Sequence, residues 1–170
     1  SYAADVLRVN GTQLRPERQF CQVGCELVGD DSVMADVECA LVAIKGLACA
    51  GIENITIDLT VPTIMRHIYE SVGEDDAVKE TVSDLIAKRD KDAIQTLGAK
   101  SSPLVLALMS LEGNLEGAQN TMRGLKLPAL VATGMQRLLS VAQGLKAALE
   151  VYNLPQVQVS IDPLEHRGLE

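Results

Sequence analysis

The sequence predicts an α+β fold in which an antiparallel sheet is interrupted by a helical insertion. Three observations carry this. Apolar and polar residues alternate in four short segments, 4–9, 19–28, 53–59 and 156–162, the period of a half-buried strand. Between Gly73 and Tyr152 that alternation gives way to alanine- and leucine-rich stretches with helical spacing. Each alternating segment also keeps a polar side, whereas parallel strands covered on both faces read as continuous apolar runs. The expected division is therefore a core made of residues 1–73 and 153–170, with a helical insertion at 74–152.

Taken in order, residues 4–9 (ADVLRV) and 19–28 (QFCQVGCELV) are strands joined by a polar loop from Asn10 to Arg18. Asp30, Asp31 and Ser32 offer N-caps for a helix. Its apolar stripe is Val33, Val37, Leu41, Ile44 and Ala48, and Gly51 ends it. Residues 53–59 form a third strand. Thr60 and Pro62 open a helix carrying Ile64, Ile68 and Val72. The run Glu74-Asp75-Asp76 suits a helix N-terminus, where the macrodipole favours negative charge. Breaks follow at Gly98, at Ser101-Ser102-Pro103, at Gly113 and at Lys126-Leu127-Pro128. The last helix carries Val131, Leu138, Val141, Leu145 and Leu149 and stops near Asn153-Leu154-Pro155, before the strand at 156–162. Met65, Met109, Met122 and Met135 read as core fillers.

Strand parity sorts the side chains. Cys21, Val23, Cys25 and Leu27 share one face of their strand, and Gln22, Gly24 and Glu26 share the other. The apolar face is expected to lie under helices. The other carries Arg8, Gln22 and Glu26, with Asp58 and Asp162 on the later strands. Parity leaves two readings of that polar face open: it meets water, or it forms a site.

Composition removes several classes of function. The chain has 170 residues, a net charge of −8 and a pI near 4.8, so it lacks the basic footprint of a nucleic-acid-binding domain. With no Trp, one Phe and three Tyr, it offers little for base stacking. No apolar run approaches the length of a membrane span, and no signal-peptide pattern opens the chain. Cys21, Cys25, Cys39 and Cys49 are too sparse for a disulfide scaffold and lack the paired spacing of a zinc site. They are expected to be reduced, mostly buried thiols of a cytoplasmic protein, with no metal and no cofactor. His67 reads as a surface residue and His166 as surface or pocket rim. No nucleophile–base pair, P-loop or dinucleotide fingerprint is present in the sequence.

Three stretches carry a resemblance: Leu7-Arg8-Val9-Asn10, then Arg15-Pro16-Glu17-Arg18-Gln19-Phe20, then Gln22-Val23-Gly24-Cys25-Glu26-Leu27-Val28-Gly29. Together they resemble the second signature motif of histidyl-tRNA synthetases, which runs Phe-Arg-x-Glu, a loop, Arg-x-Phe, and Gln-x-Gly-x-Glu-x-x-Gly. Asp36-Val37-Glu38 resembles the Asp-x-Glu that follows in that family. Arg167-Gly168-Leu169-Glu170 resembles the opening of its histidine-specific motif. The resemblance implies a class II aminoacyl-tRNA synthetase-like sheet with the helical insertion where this family carries one.

Within that family the wording of the motif is closer to the regulatory subunits of ATP phosphoribosyltransferase, non-catalytic paralogues of the synthetases. The synthetase motif grips ATP with an Arg-x-Glu pair; here Arg8 stands with Asn10 in the glutamate's place, and a neutral hydrogen bond is about half as strong as a charge-assisted one. The resemblance thus implies a regulatory subunit without catalysis of its own. Its partner would be the short-form catalytic subunit in histidine biosynthesis, its ligand histidine, and its state a homo-oligomer, with no nucleic acid and no membrane. It implies histidine-binding roles for Gln22, Glu26 and Arg167, the first two about 13 Å apart along one strand. It also implies nucleotide or partner-subunit contacts for Arg8, Arg15 and Arg18. The alternative is the catalytic core of a histidyl-tRNA synthetase, a ligase that activates histidine with ATP.

Overall fold

The computed structural model describes residues 1–9, 16–111, 113 and 115–165. The chain divides into two compact units, Ser1–Glu53 and Asn54–Glu170. The boundaries expected at 73 and 153 separate strand-rich from helix-rich sequence; the compact units instead divide after Glu53, so the helices share a unit with the third and fourth strands.

In the first unit, β1 (Tyr2–Leu7) pairs antiparallel with β2 (Gln19–Gly24), with Tyr2 opposite Gly24 and Leu7 opposite Gln19. The Arg8 N–H extends the ladder to the Arg18 carbonyl at 2.8 Å. Helix α1 (Val33–Cys49) starts where expected. The Ser32 hydroxyl accepts from the Ala35 N–H at 3.2 Å, and the Asp30 carboxylate accepts from the Ser32 N–H at 2.8 Å. The helix buries Ala35, Val37, Leu41 and Ile44, and Gly51 follows it at φ +81°.

Two expectations for this unit need correction. The parity face bearing Leu7 and Val23 is open: those residues are 74% and 79% exposed, while Val6, Phe20 and Gly24 on the opposite face are half-buried. The thiols are free but not mostly buried, since Cys21, Cys25 and Cys49 are exposed and only Cys39 is half-buried. The cause is common to both. Alternation fixes which side chains share a face and says nothing of which face is covered. In addition β2 ends at Gly24, so Cys25 to Val28 are not strand residues.

In the second unit, β3 (Thr56–Leu59) pairs with β4 (Gln158–Ile161) in parallel, with Ile57 opposite Val159 and Leu59 opposite Ile161. The antiparallel expectation therefore holds for β1 and β2 but not here, and the described strands form two pairs instead of one sheet. One-sided burial produces alternation whichever way a strand runs, and a parallel pair needs only a long crossover. The helical segment supplies it: α2 (Ile64–Val72), α3 (Asp76–Ala87), α4 (Lys91–Leu97), α5 (Ser102–Met109), α6 (Leu115–Met122) and α7 (Ala129–Val151). Apart from an isolated antiparallel bridge between Gly113 and Ile161, no described residue of the insertion pairs as a strand.

The breaks fall at the expected residues, with Gly73 and Gly98 closing α2 and α4 in left-handed conformation. Arg89, also left-handed at φ +56°, separates α3 from α4 without a glycine to announce it. Ile64 and Ile68 of α2, Val82 of α3, Ile94 of α4, Leu108 of α5, and Met135 and Ala142 of α7 meet Ile161 and Leu164 in one core. Each large aliphatic side chain taken fully out of water there contributes about 1.5–3 kcal/mol. Met109 and Met135 are buried, and Met65 and Met122 pack against this core.

The acidic run divides its labour. Asp75 is the N-cap of α3 and Asp76 lies in its first turn. Glu74 turns away into the start of α5, where one carboxylate oxygen accepts from the Ser101 N–H at 2.8 Å and from the Ser101 hydroxyl at 2.7 Å. Lys100 closes the same junction, donating to the Gly73 carbonyl at 2.7 Å.

Candidate functional site

Gln22 lies in the middle of β2 with its side chain exposed. Its amide Nε2 donates to the Tyr2 phenol oxygen at 2.7 Å. The antiparallel register brings this about, because Tyr2 stands opposite Gly24 and Ala4 opposite Gln22, so Tyr2 and Gln22 are diagonal neighbours on one face. The Tyr2 ring lies directly on Gly24. A Cβ at position 24 would meet its Cζ and Oη at 2.6 Å and its Cε1 at 2.8 Å, so no side chain fits there while Tyr2 holds this place. The bare surface at Gly24 is therefore floored by an aromatic ring. The sequence reasoning passed over Tyr2 because it began the strand at residue 4; a strand begun two residues earlier puts a tyrosine opposite Gly24.

Glu26 lies beyond the end of β2 and is exposed. It lines a shallow cavity of about 130 Å³ with Cys25, Leu27, Glu38, Cys39 and Val42, the last three from α1. Strand alternation stops at Gly24 and does not fix its face. Among the described residues no hydrogen bond joins it to Gln22.

Arg8 and Arg18 sit together where the hairpin opens. The Arg8 guanidinium lies over the Phe20 ring, 5.0 Å from its centroid. Arg18 donates from Nη1 to the Val9 carbonyl at 3.2 Å. Asn10, Arg15, His166 and Arg167 lie outside the described residues.

The polar residues of the later strands have structural partners. Asp58 accepts from the Ser160 hydroxyl. Asp162 is buried, and its carboxylate accepts from the Arg89 guanidinium and from the Leu164 N–H at 3.3 Å. Glu165 lies 3.6 Å from the same guanidinium. His67 is half-buried, not a surface residue, and its Nδ1 is buried without a hydrogen-bond partner. Among the described residues no three His, Cys, Asp or Glu side chains gather as metal ligands, and no helix is long and apolar enough to cross a membrane.

Known proteins resemble the chain along its whole length. The ATP phosphoribosyltransferase regulatory subunit of Rhodospirillum centenum is 39% identical over 170 residues, all of this chain and 43% of that protein. That of Rhodospirillum rubrum is 35% identical over the same length, again 43% of the relative. The chain thus spans less than half the length of either of these relatives. Among solved structures, a crystal structure described as an ATP phosphoribosyltransferase regulatory subunit/histidyl-tRNA synthetase from Bacillus halodurans C superposes with a TM-score of 0.72. It is 21% identical, with 96% of this chain and 42% of that one covered, a likeness of fold. The family model described as histidyl-tRNA synthetase matches residues 1–170 from end to end. A model matched over the whole chain shows the family: the chain belongs to the histidyl-tRNA synthetase family.

Proposed function

We propose that the chain is part of a regulatory subunit of ATP phosphoribosyltransferase, a cytoplasmic, non-catalytic protein. In this reading it binds the short-form catalytic subunit in histidine biosynthesis and senses histidine. The observation that carries it is similarity along the whole chain to relatives bearing that name. One substitution in the motif supports it: Asn10 stands where the synthetase motif carries a charged residue. Arg8, Arg15 and Arg18 then serve the partner subunit, and residues 74–152 are an insertion into a core formed by 1–73 and 153–170.

Histidine is recognised in this reading by Gln22 and Glu26. Glu26 accepts from an ammonium or imidazole N–H, and Gln22 both donates and accepts. Feedback is then a coupling free energy between this site and the chemistry in the partner. The test is histidine titration of the full-length complex with Glu26→Gln. Loss of one charged hydrogen bond should weaken inhibition about tenfold to a hundredfold while activity without histidine is unchanged. Equal inhibition constants would remove Glu26 from the site, and Arg167→Gln is tested in the same titration.

The family's own description favours a second reading, a synthetase that activates histidine with ATP. ATP–pyrophosphate exchange dependent on histidine would establish it in place of the first.

A further inference from the structure

The hairpin already occupies, from within, two features a ligand would use. One N–H of the Gln22 amide donates to the Tyr2 phenol oxygen at 2.7 Å, and the surface of Gly24 is covered by the Tyr2 ring. We propose that Tyr2 is an intramolecular plug of the histidine site, a residue that sets its affinity by competing with the ligand for Gln22 and Gly24. This rests on the reading that histidine binds at Gln22.

The geometry allows the exchange. Tyr2 is 38% exposed, so the ring has solvent to swing into. It is held by one neutral hydrogen bond and by contact with a glycine, with Ala4 as its same-face neighbour along β1. A histidine imidazole or carboxylate offers the Gln22 amide an acceptor equivalent to the phenol oxygen. A ligand that takes this N–H and rests on Gly24 has to displace the ring, so that the site is fully open only for the fraction of time that Tyr2 is displaced. The apparent dissociation constant is the intrinsic one divided by that fraction.

Tyr2→Phe keeps the ring and removes the oxygen, which frees the Gln22 amide without stripping the hairpin. In the full-length protein, calorimetric titration with histidine should then give binding about 3- to 10-fold tighter, the scale of one neutral hydrogen bond. The gain should appear in the association rate, because the plug acts before the ligand arrives; a merely structural tyrosine would leave that rate unchanged or lower it. Gln22→Ala is the companion variant and should weaken binding. If Gln22→Ala weakens binding but Tyr2→Phe binds equally well or less tightly, the plug is overturned and the histidine site stands. If wild-type protein binds no histidine, or Gln22→Ala is without effect, the site reading itself fails and the plug falls with it.

Discussion

Glu74→Ala should be one of the most destabilising single changes to a charged residue in the helical unit. The Ser101 amide and hydroxyl both end on the same Glu74 carboxylate oxygen, and Ser101 is fully buried. Removing the carboxylate strands two donors out of reach of water, each worth about 1–3 kcal/mol if left unsatisfied. The hydroxyl rotates to find another acceptor and recovers part of its share. The folded state also no longer bears the desolvation of a carboxylate that is only 8% exposed. The net loss should be about 2–4 kcal/mol, read as a fall in the urea midpoint with unchanged slope.

The loss is pH-dependent with a definite sign. Burial pushes the Glu74 carboxyl up, but hydrogen bonds from the Ser101 hydroxyl and amide and from the Asp75 amide, with the charge of Lys100, outweigh it and hold it below its ordinary value of 4.5. A carboxyl depressed on folding contributes stability that is fully present above its unfolded value and is lost as pH falls through the folded one. The advantage of wild type over Glu74→Gln should therefore be constant near neutrality and shrink below about pH 4.5. In the full-length protein, amide exchange at Ser101 should quicken in the variant. A loss below about 0.5 kcal/mol, or a gap to Glu74→Gln that is flat down to pH 3, would refute the reasoning.

Two further outcomes follow from other contacts. His67→Leu removes a buried Nδ1 that has no partner, so stability should stay level or rise by up to about 1 kcal/mol in the same denaturation experiment; a fall of that size would reveal a partner. Leu7 and Val23 leave an apolar face open beside unpaired strand edges, a combination that recruits further copies. The 170-residue chain should self-associate by light scattering and Val23→Lys should reduce this; a wild-type chain that stays monomeric at all concentrations would refute it.

Much of the helical architecture was legible because its signals are local. Ser32, Gly73 and Gly98 act within a turn of themselves, and the stripe Val131, Leu138, Val141, Leu145 and Leu149 is buried as its spacing requires, whereas α2 opens at Thr63 and not at Thr60 and Pro62, and the Thr60 hydroxyl donates to the Glu165 carbonyl at 2.6 Å. Arg89 was not legible as a break, because a non-glycine residue takes the left-handed position of the turn that closes α3, where the Arg89 and Asp90 N–H groups donate to the Ile86 and Leu85 carbonyls at 2.9 and 3.0 Å. The direction of β3 against β4 was not legible for a different reason: pairing is a long-range choice and alternation is blind to it. For the candidate site, Gln22 and Gly24 share the face that parity assigned them, whereas Glu26 was extrapolated along a strand that stops at Gly24. Tyr2 was invisible until the register set it opposite that glycine.

The parallel pairing of β3 with β4 also bears on the order in which the molecule folds. The hydroxyl of Ser160 meets the carboxylate of Asp58 across 102 residues of chain. Bringing the ends of a flexible segment of that length together costs about 4 kcal/mol in closure entropy alone, more than four residue pairs in a two-stranded ladder return. The segment must shorten first, and coiling it into α2–α7 is what shortens it. Contact order makes these strands late arrivals in refolding. They are likewise early departures when the helices are cut or loosened, so protection of the Gln158 and Asp162 amides, which bond to the Ile55 and Leu59 carbonyls at 3.0 and 2.9 Å, reports on the integrity of helices that lie far from them in sequence.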